Sequence, residues 1–317
     1  MGAEVLKVEE PGKGDYFRWM EPLNGDQSIY FQAVNRNKQS MTLNLKKERG
    51  RSILIELLKS YDVLLESFRP GVMGRLGLDY DTVKKVNSGI IYCSISSYGQ
   101  ERPYKNRVGH DGDYLALGGL LNLGGASGGP PIHPPVPLAD LTVGGFMAAF
   151  SVASALFNKQ RTGKGQYLDI AMLDGVVSLL TVFAAEYFFD QREVKRGENH
   201  FAGCSVSNTV YETKDGRFMC LSIIEDKFWR NFCETIGRPD LIGENFFEIK
   251  SKSQLYTEVQ KTMLTRTKDE WVAKFDGVEV CCEPVNTLGE AFNNEQIRFR
   301  DMVIDVEHPL LGKIKQL

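Results

Sequence analysis

The sequence predicts an α/β protein built on a parallel sheet, followed by a smaller α+β domain. Two observations carry this. Over residues 3–96, β-type runs alternate with helical ones: AEVLKVE, SMTLNL, KKERGRSILIELLKSYD, VLLES, DYDTVKKVNSG and IIYCSIS. Such alternation is the pattern of parallel strands joined by helical crossovers. From about Cys204 the pattern changes to a hairpin, VYETKDGRFMCLSI with Asp215-Gly216 at its turn, and short helices such as TKDEWVAKF with its threonine cap.

Taken in order, AEVLKVE is a strand ended by the turn cluster PGKGD, and SMTLNL (40–45) alternates apolar and polar residues as a strand does. Ile53, Ile55, Leu57 and Leu58 recur at helical spacing before the apolar run VLLES. Residues 118–137, GGLLNLGGASGGPPIHPPVP, cannot continue a helix and fit neither the dinucleotide fingerprint nor the P-loop, so they form a shaped loop. DLTVGGFMAAFSVASALFNKQ then reads as a long apolar helix with Asp140 at its N-terminus, where aspartate is a favoured cap. RTGKGQYLDIAML is a turn into a strand. The expected organisation is a large domain over 1–189, a polar linker at 190–205, a small domain over 206–295 and a segment at 296–317 returning toward the large domain.

Composition narrows the functional classes. A net charge of −3 and no long basic run leave no electrostatic footprint for nucleic acid. No apolar run approaches the roughly 20 residues of a membrane span, since LLTVFAAEYFF (179–189) is short and contains Glu186. MGAEVL lacks the Ser or Thr of a myristoylation signal, and no signal peptide is present. These points predict a soluble protein of the cytoplasm or an organelle matrix, with no membrane partner. The six cysteines lack zinc spacing and read as small core residues, so no metal is expected.

Seven motifs, in order along nearly the whole chain, resemble the class III CoA-transferase (CaiB/BaiF) superfamily, and within it the α-methylacyl-CoA racemase branch. They are GAEVLKVEEPGKGD, NRNKQSMTLNLK, VLLESFRPGVMGRLGLDYD, IYCSISSYGQ, ADLTVGG, RTGKGQYLDIAMLDG and DVEHPLLGKIKQL. The resemblance implies a Rossmann-like large domain, a smaller α+β domain and an interlocked homodimer. It also implies an acyl-CoA thioester as partner, with coenzyme A entering as part of the substrate and no permanently bound cofactor. Family members carry a strand and helix before GAEV, and their closing segment runs past Leu317, so this chain is expected to be a shortened member.

The resemblance assigns Asp140 as the catalytic aspartate. In transferases this carboxylate attacks the acyl-CoA thioester; in racemases it is an acid–base group. His110, in RVGHDGDY, separates the two chemistries. Racemisation next to a thioester removes the α-proton from one face and returns one on the other, so two proton carriers must flank the carbon. The racemase branch has a GHD-x-x-Y motif with its aspartate thirty residues after the histidine, the spacing of His110 and Asp140. Glu225, in CLSIIEDKFW, matches a glutamate that in this branch hydrogen-bonds the histidine and would fix its tautomer. The enolate oxygen is expected to meet backbone N–H groups near Asp140.

For the CoA phosphates the resemblance points to Arg75 in GVMGRLG, with Arg69 and Lys38 as further cations. Ser67 and Phe68 fall where backbone and ring contact the adenine side. Asp111 and Tyr114 flank the proposed base and are expected to order the thioester or pantetheine arm. His133, His200 and His308 read as structural. Three functions follow: a racemase of 2-methylacyl-CoA thioesters, a CoA-transferase working through an aspartyl-CoA intermediate, and a non-catalytic acyl-CoA-binding homologue.

Overall fold

The computed structural model describes residues 2–101 and 103–317; the side chain of His200 lies outside the described residues. The chain separates into two compact units. One comprises residues 1–107, 144–171 and 288–317, the other 108–143 and 172–287.

The first unit is built on parallel ladders. Strand β1 (Val5–Glu9) pairs with β2 (Lys38–Thr42), Val5 lying opposite Lys38 and Glu9 opposite Thr42. The second strand therefore begins two residues earlier than the alternation in SMTLNL suggests, because its partner sets its register. Strands β3 (Val63–Glu66), β4 (Ile91–Ser96) and β5 (Gln166–Ala171) form a second parallel sheet in that spatial order. Every residue of β4 is buried, as befits a central strand covered on both faces.

Helix Glu48–Leu58 buries Gly50, Leu54 and Leu58 at four-residue spacing. Leu54 and Leu58 join Leu78, Val83, Ile90 and Tyr92 in the core, each large aliphatic side chain contributing about 2 kcal/mol. Gly50 permits this packing, since a Cβ there would stand 2.1 Å from the Asn44 carbonyl oxygen. The hairpin Ile304–His308 with Gly312–Gln316 closes the chain, and Gln316 Nε2 donates to Gln32 O at 3.2 Å. His308 is structural: its Nδ1 accepts from the N–H groups of Leu310 and Leu311.

One carboxylate organises the N-terminal part of this unit. Glu9, at the end of β1, accepts at 2.7 Å from Arg18 Nε, Arg18 Nη2, Ser40 Oγ and the N–H of Asp15. These donors, led by Arg18, hold its pKa at about 2. The PGKGD turn is thereby folded back onto the strand, and Lys7 pairs with Asp15 at 2.5 Å.

In the second unit, strands β6 (Asn208–Glu212), β7 (Phe218–Ser222) and β8 (Cys282–Pro284) form an antiparallel sheet with β7 central. The hairpin turn carries Gly216 at φ +70°, as the Asp-Gly signal predicts. Helices Asp226–Ile236, Gln254–Met263 and Lys268–Phe275 cover it, the last begun by a capping box of Thr267 and Glu270. Their core holds Trp229, Phe232 and Trp271, and the indole N–H groups of the tryptophans donate to Leu241 O and Met263 O. Cys93, Cys204, Cys233 and Cys282 are buried and unpaired, and Cys220 and Cys281 are half-buried.

Residues 140–162 form one continuous helix of mean hydropathy 1.5, long and apolar enough to cross a membrane. This corrects the reading that no run approaches that length: the helix passes through Gly144 and Gly145 without a break. Core helices of globular proteins reach the same length and hydropathy. Its first eight residues, Asp140–Met147, are wound as a π-helix, a geometry frequent at functional sites. Val143 there packs on Gly175, where a Cβ would lie 2.2 Å from Val143 Cγ2.

Two stability measurements follow. A depressed pKa contributes stability above its ordinary value of 4.5, and the contribution is lost as pH falls through about 2. Glu9→Gln should therefore lower the denaturant-derived stability at pH 7 by about 2 kcal/mol, allowing for the partial exposure of Arg18, with the gap from the parent closing between pH 4.5 and 2. Gly175→Ala should cost about 2 kcal/mol through overpacking against Val143, and an unchanged thermal midpoint would contradict that packing.

Candidate active site and CoA cleft

The site residues near Asp140 belong to one local structure in the second unit. His110 is the N-cap of helix Asp111–Leu117, and its backbone N–H is held by the Asp113 carboxylate at 2.9 Å. Its side chain is exposed. Tyr114 is buried and its hydroxyl donates to the carbonyl of Gly109, which fixes the turn just before the histidine.

Asp111 makes the decisive link. Its Oδ1 accepts from the N–H of Ala139 at 2.7 Å and of Asp140 at 3.1 Å. Helical structure already begins at Leu138, so Asp140 is the third helical residue and not the cap its sequence position suggests. The first-turn N–H groups that an N-cap would satisfy are satisfied by Asp111 from another element. The Asp140 carboxyl is thus released from capping. It also follows that these two N–H groups are committed to Asp111, which corrects the expectation that they face an enolate oxygen.

Asp140 keeps much of its surface open, yet crowding by protein atoms around its carboxyl pushes its pKa up. The like charge of Asp111 pushes in the same direction and His110 opposes it. Because Asp111 directly follows His110, its bond to the N–H of Asp140 brings the His110 turn to the start of the Asp140 helix. Glu225 is different. It is the exposed N-cap of helix Asp226–Ile236, and its side chain makes no hydrogen bond to His110 or any other group among the described residues.

The residues assigned to the nucleotide end of CoA lie in the first unit. A cleft of about 570 Å³ is lined by Lys7, Glu9, Pro11, Asp15, residues 43–46, Phe68, Val72 and Leu76. Phe68 is half exposed there, with its N–H held by the buried Glu66 carboxylate at 2.8 Å. Ser67 is its exposed neighbour. Arg75 sits on the same short helix as Val72, exposed and without an ion pair among the described residues. Lys38 is engaged differently. Its Nζ donates to Val34 O and Asn35 Oδ1, and crowding, with Lys7 nearby, pushes its pKa down. Arg69 lines a second cleft of about 380 Å³ with Glu66, Asp79, Tyr80, Tyr92 and Tyr167. Sequence reasoning missed Lys7, Asn44 and Lys46 as cleft residues. The turn cluster PGKGD was the available signal, because a turn folded back on β1 necessarily builds a wall beside it.

Comparison with known proteins agrees with this architecture. The family model described as CoA-transferase family III matches residues 1–317. The chain is 35% identical to succinyl-CoA:glutarate CoA-transferase of Mus musculus over 99% of this chain and 73% of that protein. It is 34% identical to α-methylacyl-CoA racemase of Homo sapiens over 96% of this chain and 76% of that protein. Among solved structures, a CAIB/BAIF family protein from Brucella suis superposes with a TM-score of 0.83 at 28% identity, covering 99% of this chain and 87% of that one. With the fold, the full-length family match and these relatives in agreement, the chain belongs to CoA-transferase family III.

Proposed function

We propose that the chain is a racemase of 2-methylacyl-CoA thioesters, with His110 and Asp140 as its two proton carriers. The observation that supports this most is the arrangement around Asp111, which leaves the Asp140 carboxyl free beside the exposed His110. One group takes the C2 proton, and the electron pair of the broken C–H bond delocalises into the thioester carbonyl as an enolate. The other group then delivers a proton to the opposite face of C2. Each carrier ends in the protonation state the other began with, and no group leaves the substrate. A carboxyl whose pKa is raised suits a group that must take up and release a proton in turn. CoA would lie in the cleft bordered by Phe68, with Arg75 and Lys46 near its phosphates.

The second reading is transfer of CoA between carboxylic acids, with Asp140 attacking the thioester. It is favoured by the succinyl-CoA:glutarate CoA-transferase relative. Here the thiolate of CoA leaves as a mixed aspartyl anhydride forms; the thiolate then attacks the aspartyl carbonyl, giving aspartyl-CoA and releasing the donor acid as its carboxylate.

Two experiments separate these. In deuterated water, 2-methylacyl-CoA should gain deuterium at C2 and lose optical purity in the presence of the protein, and His110→Ala should reduce the rate by at least about 100-fold. An aspartyl-CoA adduct at Asp140 seen by mass spectrometry, with no exchange at C2, would replace the racemase reading by the transferase one. Asp111→Asn keeps an acceptor oxygen for Ala139 and Asp140 but removes the like charge, so the pKa of Asp140 should fall. In the direction that uses Asp140 as base, the acid limb of the exchange rate should move to lower pH. An unmoved limb would remove Asp111 from control of that carboxyl.

A further inference from the structure

Residues 190–205 read as a polar linker from the sequence, and the proposed reaction gives them no part. In the structure, Arg196 is half-buried among the backbone of the Gly/Pro loop. Its Nε donates to Asn122 O at 3.0 Å, its Nη2 to Asn122 Oδ1 at 2.7 Å, and its Nη1 to Gly129 O. We propose that Arg196 is a positioning residue for the His110–Asp140 pair, a clasp that holds the loop joining them in its working shape. The proposal rests on the proton-transfer reading of that pair.

The loop needs such a device. Between Gly124 and Pro137 no helix or strand forms, and this segment joins the His110 helix to Asp140. Ordering free backbone costs about 1–2 kcal/mol per residue, so an unpinned loop would have to be ordered each time substrate binds. Arg196 grips it at two points seven residues apart, and the surroundings are shaped to let it in. Gly125, at φ +124°, has no room for a Cβ, which would lie 2.9 Å from Arg196 Cδ and 2.7 Å from Pro130 O. Gly197, at φ +65°, would bring a Cβ within 2.3 Å of the Ser127 N. Ser127 Oγ also donates to Glu198 Oε1 at 3.3 Å. Residues 196–198 thus lie along the loop as one strip.

From the clasp the chain runs on to the site. His133 packs on the first turn of the His110 helix, where a Cβ on Gly112 would stand 2.6 Å from His133 Cε1. Six residues later Asp111 takes the N–H of Ala139. A loop held at Asn122, Gly129, His133 and Ala139 leaves little freedom in the separation of His110 and Asp140. Only a guanidinium supplies three directed donors to this curved set of acceptors; a lysine ammonium is a point charge on a flexible stem.

The test uses the full chain carrying Arg196→Ala, Arg196→Lys and, as a control outside the clasp, Arg192→Ala. Amide hydrogen exchange over residues 122–133 and steady-state C2 exchange of 2-methylacyl-CoA are measured with and without added guanidinium. Arg196→Ala should lose protection in the loop and lower kcat by about 10- to 100-fold, with KM changed less than about threefold. Guanidinium should restore both properties, Arg196→Lys should stay impaired, and Arg192→Ala should behave as the parent. Parent-like loop protection in Arg196→Ala overturns the clasp, as does a loss of activity in KM alone or one that guanidinium does not repair. A parent chain that exchanges no C2 proton overturns the proton-transfer reading, and with it the positioning role, while loop protection still reports separately on the clasp.

Discussion

The geometry around Asp140 depends on one carboxylate that does no chemistry in the proposed reaction. Asp111 Oδ1 receives the N–H groups of Ala139 and Asp140, across 28 and 29 residues of sequence. The start of a helix exposes donors that must be satisfied, and an aspartate at that point usually satisfies them itself. Here the duty passes to the residue after His110. The same two contacts therefore tie the histidine turn to the aspartate helix and leave the Asp140 carboxyl unengaged. The charge of Asp111 then adds to the crowding that raises the pKa of that carboxyl.

Glu9 performs the corresponding task in the first unit. Four donors converge on it, so a turn containing Gly12 and Gly14 in left-handed conformations is held against β1 as a wall of the larger cleft. In both units a carboxylate fixes an irregular segment by accepting backbone N–H groups, an economical solution where Gly- and Pro-rich chain cannot organise itself through helix or sheet. The physical states of the two acids differ accordingly. Glu9 is surrounded by donors and an arginine, and its pKa falls; Asp140 has crowding and a like charge beside it, and its pKa rises.

Much of the fold was legible because periodicity and turn chemistry are local. Ile91–Ser96, Glu48–Leu58, the Asp-Gly hairpin and the Thr267 cap all stand where short-range pattern places them. The start of the Asp140 helix was misplaced by two residues, because Pro137 and Leu138 can open a helix and the capping group comes from elsewhere. The clasp of Arg196 on Asn122 and Gly129 spans 74 and 67 residues, and no local pattern announces it. The glycines at 125 and 197 were its only trace in the sequence, and they are ambiguous alone, since a glycine can serve a turn as readily as a close approach. The link expected between Glu225 and His110 is absent among the described hydrogen bonds of this chain, and the sequence could only place the two residues in separate segments.

The proposed chemistry turns on what stands beside the Asp140 carboxyl. A nucleophilic aspartate works as the anion, and anything that raises its pKa lowers the fraction in that form. A proton carrier works by changing form, and a raised pKa brings the change closer to neutral pH. Crowding and Asp111 both push Asp140 in that second direction. The imidazole of His110, exposed at the start of helix Asp111–Leu117, is the proposed partner. The two features are independent, one arising from the loop's path and the other from the helix start at Asp111. Proton transfer calls for two such groups, whereas CoA transfer makes use of the carboxylate alone.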